Sequence, residues 1–100
     1  MSYKFERLPI IKGLIYNNIK MLEDKKIAKI DKELARELIT EEVDCLIKDF
    51  LYIRKFGTKK QVLRFKSNMR EIRDILFSYL LKIQHDPDIF QVYSRILTII

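Results

Sequence analysis

The stretch VLRFKSNMREIRDILFSYLLKI, residues 62–83, decides the fold. Within it Val62, Phe65, Met69, Ile72, Leu76, Tyr79 and Ile83 follow one another in alternating steps of three and four. That spacing brings all seven side chains to one face of an α-helix. Sustained over about three heptads, it makes a seam that must face other helices. The seven residues are therefore expected to be helix-packing or oligomer contacts. In so short a chain, self-association or a partner helix pair is expected to complete their cover.

Outward from this helix the punctuation is regular. Gly57 reads as the C′ residue of a preceding helix, and Thr58 as the N-cap of this one. Before Gly57, Ile39, Val43, Leu46, Phe50 and Ile53 carry the same alternation, which predicts a second long helix. Asp31 reads as its N-cap, with Leu34 and Leu38 on its apolar face. Thr40 followed by Glu41 and Glu42 is a second capping signal, so the helix either breaks there or runs through. Pro9 opens a first helix carrying Ile11, Leu14, Ile15, Ile19 and Leu22, which Gly13 weakens by about 0.5–1 kcal/mol. On the C-terminal side Asp86 and Pro87 start a short helix with Ile89, Val92, Tyr93, Ile96 and Leu97 on one face. The expected fold is all-α: a single domain over residues 1–100, a small bundle of about four helices with two long antiparallel ones.

Composition agrees. Two glycines and two prolines in 100 residues are few for a chain of many tight turns, and 48% hydrophobic with 34% charged residues suits amphipathic helices. The one cysteine, Cys45, excludes an internal disulfide; set among Val43, Leu46 and Ile47, it is expected to be a small buried hydrophobe. Residues 1–7 lead into no apolar run of the secretory kind, and no uncharged run is long enough to span a bilayer, so an intracellular location, cytoplasmic or nucleoid-associated, is expected.

Catalytic signals are weak. His85 is the only histidine, and its neighbours Asp86 and Asp88 stand where caps are wanted. Three potential ligands within four residues leave no room for a closed metal geometry. Glu41, Glu42 and Asp44 read as an acidic helix start, and Gly13 and Gly57 form no phosphate loop. No enzyme, metal or cofactor is expected.

Charge is the uneven property. Arg54, Lys55, Lys59, Lys60, Arg64, Lys66, Arg70 and Arg73 face one acid, Glu71, so residues 54–73 carry +7 of a net +6 and the remainder −1. Lys59, Lys66, Arg70 and Arg73 share a stripe beside the seam, with Lys60 and Arg64 around the other side. Such a patch suits phosphates or an acidic protein partner. No aromatic is expected on that stripe to stack bases, because Phe65 belongs to the seam.

The order of elements also resembles a known family. Leu8–Pro9 leads into an Ile/Tyr helix, a polar gap follows, and then comes EEVDCLIKDFLYIRK, residues 41–55, with ILFSYLL at 75–81. This pattern, over residues 8–84, is similar to the helical A domain of GINS subunits of the archaeal type in which that domain comes first. Gly57 departs from it, standing where family members continue helically. The β-rich B domain that follows in the family is not in this sequence, and the apolar end at Ile99–Ile100 would suit a chain cut at that junction. The resemblance implies a non-catalytic scaffold of the replicative helicase, assembled with sister subunits and recruiting the MCM ring and a RecJ-like protein. Residue chemistry alone leaves two alternatives open. One is a small basic helical nucleic-acid-binding or regulatory protein, of viral or mobile-element type; the other is a homo-oligomeric structural protein.

Overall fold

A computed structural model describes residues 5–83 and 85–100 as four helices: α1 (Arg7–Glu23), α2 (Lys29–Phe56), α3 (Lys59–Lys82) and α4 (Pro87–Ile99). The expected all-α bundle with two long helices is what forms. Of residues 1–7, the first four lie outside the described residues.

Side-chain pairings fix the directions. The Phe50 ring on α2 stacks on Phe65 of α3 at 5.6 Å, while Arg36 near the start of α2 and Tyr79 near the end of α3 meet on one carboxylate, so α2 and α3 run antiparallel. Lys12 of α1 pairs with Glu71 of α3 at 2.6 Å, and Glu23 with Lys82 at 3.3 Å. Equal steps along both helices make α1 and α3 parallel. Arg95 of α4 bonds Asp44 of α2 at 2.5 Å, and α4 begins beside Arg36, so α4 runs with α2. Both α1 and α4 touch α2 and α3 but not each other, so the long hairpin forms the middle of the molecule.

The seam of residues 62–83 is closed within the chain. Phe65, Met69, Ile72, Leu76 and Tyr79 are buried, and Val62 and Ile83 pack against them half-buried. Facing them are Ile39, Val43, Leu46, Phe50 and Ile53 from α2, Leu8, Ile11, Ile15, Ile19 and Leu22 from α1, and Ile89, Val92 and Ile96 from α4. Burying those last three contributes roughly 5 kcal/mol before entropy losses, which is why a helix of only 13 residues docks.

Several local expectations are corrected. The second helix starts at Lys29 with Ala28 at the cap position, and Asp31 lies in its first turn, where a carboxylate favours the helix dipole without capping. It does not break at Thr40: that hydroxyl donates to the Arg36 carbonyl one turn back at 2.9 Å, so Glu41, Glu42 and Asp44 lie mid-helix. Ala35 takes the core position on this helix while Leu34 and Leu38 are exposed, as are Leu14 on α1 and Leu97 on α4. Cys45 is exposed too, because its sequence neighbours Val43 and Leu46 turn to the opposite side of the helix. Gly57 caps α2 with φ −85°, outside the left-handed region expected of a C′ glycine. Its smallness is still used, since a Cβ there would lie 2.7 Å from the Ile53 carbonyl oxygen.

Candidate polyanion interface at the hairpin tip

The joint between α2 and α3 sits at one end of the hairpin and gathers most of the basic segment. Thr58 Oγ1 accepts the Gln61 amide, and the Gln61 side chain accepts the Thr58 amide, a complete capping box that starts α3 sharply. Arg54, Lys55, Lys59, Lys60 and Arg64 are all exposed around it. At the end of α2, Arg54 and Lys55 are favoured by the helix dipole. Lys59 and Lys60 are not: they occupy the first turn of α3, where no acid stands and where the dipole disfavours cations.

Aromatic residues lie near some of these cations, on α2 and at Phe5 and not on the α3 stripe. Phe56 is 66% exposed and Tyr52 40%, with their rings 4.9 Å apart and tilted by 45°. The Lys55 ammonium lies 5.4 Å from the Phe56 ring centre, and the Arg64 guanidinium 4.6 Å from that of Phe5. Leu63 adds an exposed apolar side chain at the start of α3. The sequence signal for the aromatics was Tyr52 and Phe56 at i, i+4, off the face set by Phe50 and Ile53.

The other basic residues leave the tip. Lys66, Arg70 and Arg73 continue up the α4 side of α3, and Arg73 pairs with Asp74 at 3.0 Å. The same stripe continues, in helical steps, to Phe77 and Leu81. These two, with Leu80, Ile83, Phe90 and Tyr93, line an apolar groove of about 580 Å³ between α3 and α4, with His85 at its edge.

At the opposite joint a buried polar cluster appears that the sequence did not reveal. Asp86, as expected, caps α4, accepting the Ile89 amide at 3.2 Å, but its side chain is only 2% exposed. Its other oxygen accepts the Tyr79 hydroxyl at 2.6 Å and Arg36 Nε at 3.0 Å. Burial, reinforced by the hydrogen bond to Asp86, pushes the Tyr79 phenol well above its ordinary range. For Arg36, burial works against the charge, but the hydrogen bond and attraction of Asp86 outweigh it and raise the guanidinium further. Asp86 is thus committed to three protein donors, and Asp88 is exposed on the first turn of α4. Among the described residues no three His, Cys, Asp or Glu side chains are placed to hold a metal, and no helix is long and apolar enough to cross a membrane.

No family model matches the chain, and neither a curated protein nor a solved structure is found similar to it.

Proposed function

We propose that this chain is a non-catalytic intracellular binding module that grips a polyanion, nucleic acid, through the tip of the α2–α3 hairpin. The observation that carries this reading is the placement of exposed Lys59 and Lys60 at the α3 N-terminus, at the same joint as exposed Arg54, Lys55 and Arg64, with Lys55 5.4 Å from the ring of exposed Phe56, which itself packs on Tyr52. Two cations on the wrong end of a helix dipole cost local stability, and local rules are broken most often where function needs it. A cluster of exposed cations with an exposed aromatic pair at its side suits phosphates and an unstacked base. Fluorescence anisotropy with labelled single-stranded and duplex oligonucleotides tests this. Binding that weakens steeply as salt rises, with Phe56→Ala weakening the single strand more than the duplex, is the expected result. No binding of either at about 50 mM salt would overturn it.

The scaffold reading that the GINS resemblance implies is favoured by a different feature, the exposed apolar residues Ile10, Leu14, Leu34, Leu38, Leu81 and Phe90 outside the tip. The helix break at Gly57 remains a departure from that family. This reading requires co-elution with GINS sister subunits, or with the MCM ring and a RecJ-like protein.

A further inference from the structure

Two faces of the chain, neither of them the buried seam, are complementary to each other. On the first half of α2, Ile30, Leu34 and Leu38 form an exposed i, i+4 stripe. Glu33, Glu37 and Glu41 run beside it one residue out of phase, all exposed and making no ion pair among the described residues. This is an acidic amphipathic helix face left without a partner. The second face is the stripe on α3 and its groove. Leu81 and Phe77, with Phe90 from α4, are exposed at its apolar end, and Arg73 and Arg70 follow toward its basic end.

The two faces match in length as well as in sign. Ile30 to Glu41 and Leu81 to Arg70 are each twelve residues of helix, eleven steps or about 16 Å from end to end. An α2 segment laid antiparallel to α3 sets Ile30 by Leu81 and Leu34 by Phe77. Glu37 and Glu41 then stand alongside Arg73 and Arg70.

We propose that this chain self-assembles head to tail, the acidic–apolar face of α2 in one copy docking into the α3–α4 groove of a second copy. Apolar side chains supply the contact area, and the carboxylate–guanidinium pairs fix direction and register. Because the two faces are different surfaces of one chain, the contact is heterologous. It continues from copy to copy, as a ring or a filament, and does not stop at a symmetric dimer. The buried seam residues Phe65, Met69, Ile72, Leu76 and Tyr79 play no part, since the chain's own helices already cover them; only half-buried Ile83, at the end of the seam, reaches the groove.

Light scattering on the full chain, from roughly 10 to 500 µM at low salt, provides the test. The mass should climb from the monomer value of 12.1 kDa past that of a dimer. Leu34→Asp removes one face and Phe90→Asp the other; both positions are more than half exposed, and helicity is checked by circular dichroism. Each variant alone should stay monomeric. Their equimolar mixture should form a heterodimer and stop there, because one intact face remains on each. If either Asp variant loses helicity, charge reversal decides: Glu37→Lys with Glu41→Lys, or Arg70→Glu with Arg73→Glu, should weaken assembly about ten-fold, and mixing the two should restore pairing. A wild type that remains at 12.1 kDa, or stops at a dimer, overturns the proposal, as does a mixture that fails to pair. The tip residues Lys59, Lys60 and Arg64 are unchanged in every variant, so loss of assembly here and loss of nucleic-acid binding there are read separately.

Discussion

The two joints at opposite ends of α3 use the same capping chemistry for opposite purposes. At Asp86 the cap is buried, and one carboxylate serves a helix start, a phenol and a guanidinium. At Thr58 the cap is a local side-chain pair in solvent, and the cations around it are held by nothing comparable. Inside, charge is tolerated only when fully partnered, because an orphaned buried charge costs several kcal/mol. At the surface, cations can be left open for a ligand at the expense of a few tenths of a kcal/mol each. The difference marks the Asp86 joint as what holds the fold and the Thr58 joint as what the fold presents.

Breaking the buried joint should have the largest effect. Asp86→Ala removes the cap and leaves Arg36 and Tyr79 without their acceptor, a loss of about 3 kcal/mol. For a domain of this size that lowers the melting temperature by roughly 15 °C, measurable by circular dichroism. Gly57→Ala pushes a methyl group onto the Ile53 carbonyl and should cost about 1–2 kcal/mol, although glycine occupies no left-handed conformation here. Tyr79→Phe removes one hydrogen bond and should cost about 1 kcal/mol.

Tyr79 also sets a pH dependence. Its phenol is raised above the ordinary value of 10.0, so the folded state holds the proton more tightly than the unfolded chain. The associated stability is fully present below about pH 10 and is lost as pH rises through the folded-state value. Alkaline melts should therefore show wild type losing stability above about pH 10 faster than Tyr79→Phe, with the gap between them narrowing.

At the exposed joint the sign reverses. Lys59→Glu with Lys60→Glu places acids in the first turn of α3 and should stabilise the protein by about 0.5–1 kcal/mol, the smallest of these effects. A loss of stability in that variant would break the contrast between the joints.

Much of the first joint, and of the seam, was legible in sequence. The alternation from Val62 to Ile83 depends only on helix period, and Thr58 and the Asp86–Pro87 pair act within three residues of themselves. What was not legible depends on tertiary context. Asp31 and Thr40 are good caps by residue type, but the Thr40 hydroxyl is satisfied one turn back and the helix continues. Leu34 and Leu38 look like core, yet the turn of α2 that meets its neighbours presents Ala35 and Ile39. The Tyr79–Asp86–Arg36 cluster joins residues 50 positions apart, which no local pattern announces. Among the site residues, the cations were legible as a cluster; Phe56 and Tyr52 were legible only as residues off the Phe50–Ile53 face, since their ring contact and the approach of Lys55 depend on side-chain conformation.

The most direct test of the exposed joint as a polyanion grip is the slope of log binding constant against log salt concentration for a labelled single-stranded oligonucleotide. Wild type should show a steep negative slope. The triple variant Lys59→Glu, Lys60→Glu, Arg64→Glu should show a slope shallower by about 2, near 0.7 for each phosphate that no longer has a cation beside it. Equal slopes, or no binding by wild type at low salt, would contradict the account.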